Sequence, residues 1–216
     1  RAGGTLDDMA DDLEKLLTFV QEGLADRFPF PAPPWARQSC AALVAEKTGL
    51  DIGGVTTADA LFACGLSAGF FTREQKGESF SLLFSRLWSR FEADLGREAP
   101  LFITGWPLPL ASLAAVDTED GSRALRMELV AGGLELANGF RELTDPVEQR
   151  RRMAAELAAR RAASLPLFAL DEKFLQSVAA GLPESAGMAL GFDRLCMLLT
   201  GAPSIRAVLP FAADER

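Results

Sequence analysis

The chain has 216 residues, and the 49% that are hydrophobic are enough to give one large domain a buried core. A formal net charge of −8 argues against a general nucleic-acid-binding surface, because such surfaces are basic. The absence of histidine excludes a Ser-His-Asp triad, a Cys-His dyad and a histidine-ligated zinc site. Chemistry must therefore depend on carboxylates, arginines and backbone groups.

Targeting signals and cysteines indicate the compartment. The first residues are acidic where a signal peptide needs a basic start, and no apolar run is long enough to span a membrane. Cys40, Cys64 and Cys196 form no CxxC pair, and their odd number argues against a disulfide framework. We therefore expect a cytoplasmic protein that has no membrane partner.

The first part of the chain is predicted to be helical. Apolar residues recur at helical spacing, and the proline-rich stretch at 28–35 is expected to end the first helix. The predicted helices cover residues 5–26, 36–47, 57–65 and 72–95. We assign residues 1–99 as a helical region and residues 100–216 as a sheet-bearing region.

After residue 100 the spacing of apolar residues changes to the alternation typical of strands. The segments LFITGWPLP and ALRMELVAGGLELANGF alternate, and Gly132-Gly133 is predicted to form a two-residue hairpin turn. With that turn, residue numbers paired across the hairpin add to 265, which places Glu128 opposite Ala137 and Glu135 opposite Val130.

This register predicts a carboxylate pair. Glu128 and Glu135 become diagonal neighbours on one face of the sheet, roughly 5 to 8 Å apart. Two interpretations are open: a solvated face whose charges only confer solubility, or a pair that holds a divalent cation such as Mg²⁺ together with phosphates.

The next segment, TDPVEQRRRMAAELAARRA, carries the signals of a helix start. Asp145 is the expected N-cap, Pro146 stands in the first helical position and Glu148 follows three residues after the cap. The arginines of this helix predict a solvated surface, with docking of an acidic partner as the alternative.

The last segment, GMALGFDRLCMLLTGAPSIRAVLPF, predicts a strand that turns directly into a helix. Gly187, Ala189 and Gly191 would share one strand face and leave room for a flat ring, although purely structural glycines would explain the pattern as well. Arg194 follows at the helix start, where a guanidinium and free backbone donors suit a polyphosphate.

Together, RMELVAGGLELANGFRELTDP and the last segment resemble class II lysyl-type synthetase catalytic domains, and the last segment resembles motif 3 of that class. The likeness runs from about Thr5 to the C-terminus. It implies an α+β fold, an antiparallel sheet flanked by helices that forms the class II catalytic core truncated at its N-terminus. The order of helices, hairpin and strand-to-helix segment predicts the same fold.

The resemblance also implies roles for individual residues. Glu128 and Glu135 would bind ATP and Mg²⁺, and Glu142 would pair with the ammonium group of the substrate side chain. Arg194, the candidate catalytic residue, would contact the triphosphate. The implied nucleotide-binding residues are Glu128, Glu135, Leu136, Gly191 and Arg194, and the implied substrate-binding residues are Asn138, Phe140, Glu142 and Ala189.

Two neighbouring families share these motifs: lysyl-tRNA synthetases, and the shorter paralogues that ligate (R)-β-lysine to elongation factor P. Ala189 stands where the synthetases usually have a glycine, and WPLPLASLAAVDTED also resembles the paralogues. SIRAVLPF instead resembles the synthetases. We predict activation of lysine or β-lysine with ATP as an adenylate, then transfer to a lysine of elongation factor P. The alternatives are a lysyl-tRNA synthetase fragment, with tRNA as partner, and a non-catalytic binding module.

The same resemblance places motifs 1 and 2 before Arg1. We therefore expect the C-terminal part of a longer catalytic domain, inactive by itself, from a parent that is a homodimer.

One conflict remains inside the stretch GLELANGFRELTDP at residues 133–146. Strict alternation places Glu135 on one face and Asn138 and Glu142 on the other, whereas the implied roles require one pocket. A β-bulge would shift the alternation, and Gly139 with the small Ala137 predicts that bulge at residues 137–139.

Overall fold

A computed structural model describes residues 1–24 and 30–212. Seven helices and five strands lie in these ranges. The helices are α1 (Leu6–Gly23), α2 (Cys40–Thr48), α3 (Ala58–Ser67), α4 (Phe80–Trp88), α5 (Pro146–Ala162), α6 (Glu172–Ala179) and α7 (Phe192–Thr200). The strands are β1 (Ala36–Ser39), β2 (Leu101–Pro107), β3 (Arg123–Ala131), β4 (Leu134–Arg141) and β5 (Ala186–Leu190).

The strands form one sheet in the order β1-β2-β3-β4-β5. From β2 to β5 each strand is antiparallel to its neighbour, and for β3 and β4 the Gly132-Gly133 hairpin predicts this arrangement. The predicted α+β class is therefore confirmed. The predicted antiparallel sheet is confirmed as well, and β1 adds one strand that pairs with β2 in parallel.

Two helix predictions in the first region need correction. Residues 36–39 form β1, since they pair with residues 101–104 of β2, a contact distant in sequence that local periodicity does not show. The predicted helix at 72–95 is interrupted: Gly77 has a φ of +89°, and Ser79 then caps α4 by accepting from the Leu82 amide.

The other local predictions agree with the structure. Thr5 caps α1 and Thr57 caps α3, whereas the predicted end of the first helix at residue 26 lies outside the described residues. Asp145 caps α5 by accepting from two backbone amides, with Pro146 in the first position. The division at residues 99 and 100 stays a prediction.

The hairpin turn has the backbone that its two glycines predict. Gly132 and Gly133 have φ values of +60° and +79°, the left-handed region that a type I′ turn needs. A Cβ at Gly133 would also lie 2.5 Å from the carbonyl oxygen of Ala93. Glycine is thus required here both by the turn and by the close approach of the 92–94 helical turn.

One face of the sheet is covered by α1 and α7. Leu13, Leu17 and Leu195 pack there against Met127, Leu129 and other buried side chains of the middle strands. Burial of these apolar surfaces is the main stabilising contribution on this face.

The opposite face is covered only in part. Helices α2, α3 and α4 pack over its β1–β2 side, where Ile103, Trp106 and Val130 contribute to a second core. Glu128 lies opposite Ile103 and therefore projects from the same face.

In the part of the chain that the structure describes, no helix is long and apolar enough to cross a membrane.

Candidate active site

A β-bulge in β4 creates the geometry of the site. Val130 pairs with Glu135, while Leu129 pairs with Ala137, so Leu136 is an extra residue on β4. Glu135 and Asn138 consequently share one sheet face although they are three residues apart. The predicted pairing of Glu135 with Val130 is confirmed, whereas Glu128 lies opposite Asn138 rather than Ala137.

The bulge lies one residue before the predicted range of 137–139, where the ladder is unbroken. Gly139 serves a different purpose. A Cβ at this position would lie 2.5 Å from the carbonyl oxygen of Gly187, so glycine permits the close approach of β5. The expected shift in alternation is correct, and its predicted position is wrong.

The side-chain amide of Asn138 links the carboxylates of Glu128 and Glu135. The Asn138 Nδ2 atom donates to Glu128 Oε1 and to Glu135 Oε1, both at 3.1 Å. Arg126, which sequence reasoning missed, donates from Nη2 to Glu128 Oε1 at 2.5 Å and from Nε to Asn138 Oδ1 at 3.3 Å. The four side chains form one continuous polar network.

The Glu128 side chain is deeply buried, with 8% of its surface exposed. Burial raises its pKa from the usual 4.5 to about 7, and the nearby Glu135 charge acts in the same direction, whereas Arg126 opposes the shift. Ionisation of Glu128 therefore costs free energy, and a cation beside Glu128 and Glu135 would reduce that cost.

The β5–α7 turn provides the next part of the site. The Gly191 amide donates to the Leu136 carbonyl at 2.7 Å, which ties the start of α7 to the bulge. Arg194 stands in the first turn of α7, and its Nη1 donates to the Glu135 carbonyl at 2.6 Å. The same atom lies 3.4 Å from Glu135 Oε2. Arg194 and Glu135 are both about half exposed, so phosphate oxygens could compete for this guanidinium.

A cavity of about 250 Å³ lies between these elements. Six of the sequence-predicted residues line it: Glu135, Leu136, Asn138, Ala189, Gly191 and Arg194. Asp193 and Ile205 are further lining residues that the sequence did not single out. A larger cavity of about 830 Å³, between residues 108–116 and α5, is lined by none of the predicted site residues.

Phe140 lies farther along β4, Glu142 directly follows the end of that strand, and neither residue lines either cavity. Phe140 packs against Ala111, Ala114 and Ala124. A Cβ at Gly187 would lie 3.5 Å from Glu142 Oε1, so the carboxylate projects on the face that Gly187 leaves bare. The substrate roles of both residues stay predictions.

Partial burial raises the pKa of Glu142. Among the described residues, no side chain forms a hydrogen bond or an ion pair with its carboxylate. The carboxylate is thus available to a cationic ligand.

Arg126 could have been found from the sequence by one signal. It stands two residues before Glu128 in RMELV, so strand alternation places both side chains on one face. A buried acidic residue needs a basic partner of this kind. Only the strand register shows that Asn138 lies opposite Glu128 and contacts both Glu128 and Arg126.

The carboxylate pair is the candidate metal site. Among the described residues no group of three or more acidic, cysteine or histidine side chains could hold a metal ion. Glu128 and Glu135 both contact the same amide nitrogen, so they suit an ion that takes most of its ligands from phosphates and water, as Mg²⁺ does.

A mostly antiparallel sheet, with a strand that turns directly into an arginine-bearing helix beside an acidic pair, defines the catalytic core of a class II synthetase. Sequence comparison agrees, since residues 6–215 match the family of tRNA synthetases class II (D, K and N). The chain belongs to this family.

Two kinds of relative are similar to the chain. A lysine–tRNA ligase of Synechococcus sp. (strain CC9605) is 37% identical over 180 residues, which is 83% of this chain and 36% of the relative. The elongation factor P–(R)-β-lysine ligases of Salmonella dublin and of Salmonella enteritidis PT4 are each 43% identical over 144 residues, or 67% of this chain and 43% of the relative. The chain spans less than half the length of these relatives.

Proposed function

We propose that the chain provides half of the active site of a ligase, with residues that bind the nucleotide and the amino acid. This ligase would activate lysine or β-lysine with ATP and transfer it to a lysine of elongation factor P. The protein would act in the cytoplasm, where ATP and translation factors occur, as part of a homodimer. The resemblance of WPLPLASLAAVDTED and of Ala189 to the paralogues favours this acceptor.

One observation carries the proposal. The Leu136 bulge brings Glu135 and Asn138 to the cavity that Gly191 and Arg194 border, so acidic, amide and guanidinium groups converge on one space. A purely structural sheet has no need of this convergence. A non-catalytic module would also not require the buried charge of Glu128.

The proposed first step joins the amino-acid carboxylate to the α-phosphorus of ATP. A carboxylate oxygen attacks phosphorus, the bond to the bridging oxygen breaks, and pyrophosphate leaves. Arg194 would leave the Glu135 carbonyl and donate to phosphate oxygens, where it stabilises the charge that develops. Gly191, which lacks a side chain, would leave room for adenine beside Leu136.

In the second step an amine of the acceptor attacks the acyl carbon and AMP leaves, which gives an amide and a released proton. Asn138, Phe140, Glu142 and Ala189 would hold the amino acid on the bare face of β5. Mg²⁺, held by Glu128 and Glu135, would neutralise phosphate charge. The hydrogen bonds that Asn138 donates to both carboxylates support this role, since they would hold the pair in place for the ion.

A class II lysyl-tRNA synthetase is the second candidate function. The lysine–tRNA ligase similarity extends over 180 residues, and SIRAVLPF resembles the synthetases. In this case the acyl group would form an ester with a tRNA hydroxyl.

The test uses the polypeptide encoded by the complete reading frame. Pyrophosphate exchange with ATP is measured with α-lysine and with (R)-β-lysine, followed by transfer of labelled amino acid to elongation factor P or to tRNA. We expect exchange with at least one amino acid and labelling of elongation factor P. Labelled tRNA alone would establish the second candidate, and a complete protein without exchange would contradict both.

A further inference from the structure

The guanidinium of Arg126 has a contact on each of its nitrogens. Nε donates to Asn138 Oδ1 at 3.3 Å, Nη1 to the Leu110 carbonyl at 2.9 Å and Nη2 to Glu128 Oε1 at 2.5 Å. Its carbon also lies 4.8 Å from the centre of the Trp106 ring. Only a planar guanidinium can serve three acceptors in fixed directions and stack on an aromatic ring at once.

These contacts determine the orientation of the Asn138 amide. The Oδ1 atom can only accept, so it must face the Arg126 donor. The NH2 group then faces the two carboxylate oxygens of Glu128 and Glu135. The reversed amide would point a donor at the guanidinium and its oxygen at two carboxylates, which is unfavourable at all three contacts.

Arg126 also joins the site to the helical layer. Trp106 packs against Trp88 and Phe84, with ring centres 5.1 and 5.9 Å apart, and these aromatic rings belong to the core beneath α4. The Leu110 carbonyl belongs to the helical turn at 108–110. One side chain therefore connects two neighbouring structural elements to the polar network.

We propose that Arg126 is a positioning residue of this site: it fixes the Asn138 amide so that its NH2 group faces both carboxylates, and it anchors that arrangement on Trp106 and Leu110. Its importance for amino-acid binding rests on the proposed function. The orientation of the amide does not, so the two can be tested separately.

Arg126→Lys is the decisive variant, because lysine keeps the charge and most of the stem but cannot reach three acceptors in fixed directions. Arg123→Lys is the matched control, since Arg123 lies on the same strand and its ion pairs are with Asp117 and Asp120 outside the site.

The first measurement needs no substrate. In nitrogen-15 NMR spectra, the side-chain amide of Asn138 is identified by its loss in Asn138→Asp. We expect this amide and the Arg126 Nε–H to exchange slowly with solvent in the unmodified protein and in Arg123→Lys. Arg126→Lys should make the Asn138 amide exchange as fast as an exposed one. Fast exchange in the unmodified protein, or equal protection in Arg126→Lys, would overturn the proposal.

The second measurement is amino-acid binding by calorimetry, with lysine and β-lysine in the presence of ATP and Mg²⁺. We expect roughly tenfold weaker binding in Arg126→Lys, the effect of a misdirected hydrogen bond at a charged group, and unchanged binding in Arg123→Lys. Unchanged binding in Arg126→Lys would reduce Arg126 to a charge partner and contradict the positioning role. If no variant bound an amino acid, the proposed function would fail, and the NMR result would still decide the role of Arg126.

Discussion

The two ends of one sheet face differ sharply in their side chains. Over β1 and β2 the face carries Ile103 and Trp106, and α2 to α4 cover it with apolar and aromatic residues. Over β4 and β5 the face carries Asn138, Ala189 and Gly187, and a cavity remains. Large apolar side chains require a covering layer, whereas small and polar ones leave backbone and functional groups open to a ligand.

Arg126 stands at the boundary between these two ends. It contacts Trp106 on the aromatic side and Glu128 on the polar side. Stability should therefore depend mainly on the aromatic end and ligand binding mainly on the polar end, which variants at each end can test.

The largest expected effect on stability is at the aromatic end. Phe84 is 4% exposed and packs against Trp88 and Trp106, so Phe84→Ala should cost about 3–5 kcal/mol in the free energy of unfolding. Urea unfolding measures this loss. The control is Phe19→Ala on α1, where the ring is 74% exposed and the expected loss is within about 0.5 kcal/mol. Equal losses in the two variants would show that the aromatic core does not hold the fold.

At the polar end, Arg194→Ala should leave the fold intact, because the side chain is about half exposed and its hydrogen bond and ion pair are with the similarly exposed Glu135. We expect adenylate formation by the complete protein to fall by about 100- to 1,000-fold, through loss of a group that stabilises the transition state. Pyrophosphate exchange measures the rate, with the exposed Arg161→Ala on α5 as control. An unchanged rate would remove Arg194 from the mechanism.

Glu128 should give stability a pH dependence. The unfolded chain releases its proton near pH 4.5, whereas burial raises the pKa in the folded protein to about 7. Between these values the folded protein binds more protons, so this residue's contribution to stability falls as pH rises and becomes constant above about pH 7.

Glu128→Gln removes that contribution. We expect its stability relative to the unmodified protein to increase by up to about 3 kcal/mol between pH 5 and pH 8, as followed by urea unfolding at several pH values. The raised pKa of Glu142 is present in both proteins and cancels in the difference. A difference that does not change with pH would show that Glu128 ionises normally in the folded protein.

The smallest expected effect concerns selectivity at the bare face of β5. Ala189 lies opposite Asn138 and lines the cavity. Ala189→Gly should raise the use of α-lysine relative to β-lysine, by roughly 1–3 kcal/mol in the ratio of kcat/KM, as expected for one methyl group. Competition between the two amino acids in pyrophosphate exchange measures the ratio. The same ratio in both proteins would favour the lysyl-tRNA synthetase function.

Local signals made part of the fold predictable. Asp145-Pro146 predicted the start of α5 and Gly132-Gly133 predicted the hairpin, because caps and tight turns depend on a few neighbouring residues. The parallel strand at 36–39 was missed because its partner lies more than 60 residues away along the chain.

The site shows the same limit of sequence reasoning. The conflict between Glu135 and Asn138 required a bulge, but its position at Leu136 depends on how β4 meets both neighbouring strands. Gly139 allows β5 to pack closely against β4, so this glycine does not indicate the position of the bulge. Arg126 was missed because its importance arises from that register.

A crystal structure of the complete protein with lysine and a non-hydrolysable ATP analogue tests the central claim most directly, namely that the bulge at Leu136 builds the ligand site. We expect the adenine beside Gly191, Arg194 turned from the Glu135 carbonyl to a phosphate, and the amino acid next to Asn138 and Ala189. Ligands in the larger cavity beside α5, with Arg194 still on the Glu135 carbonyl, would contradict this account.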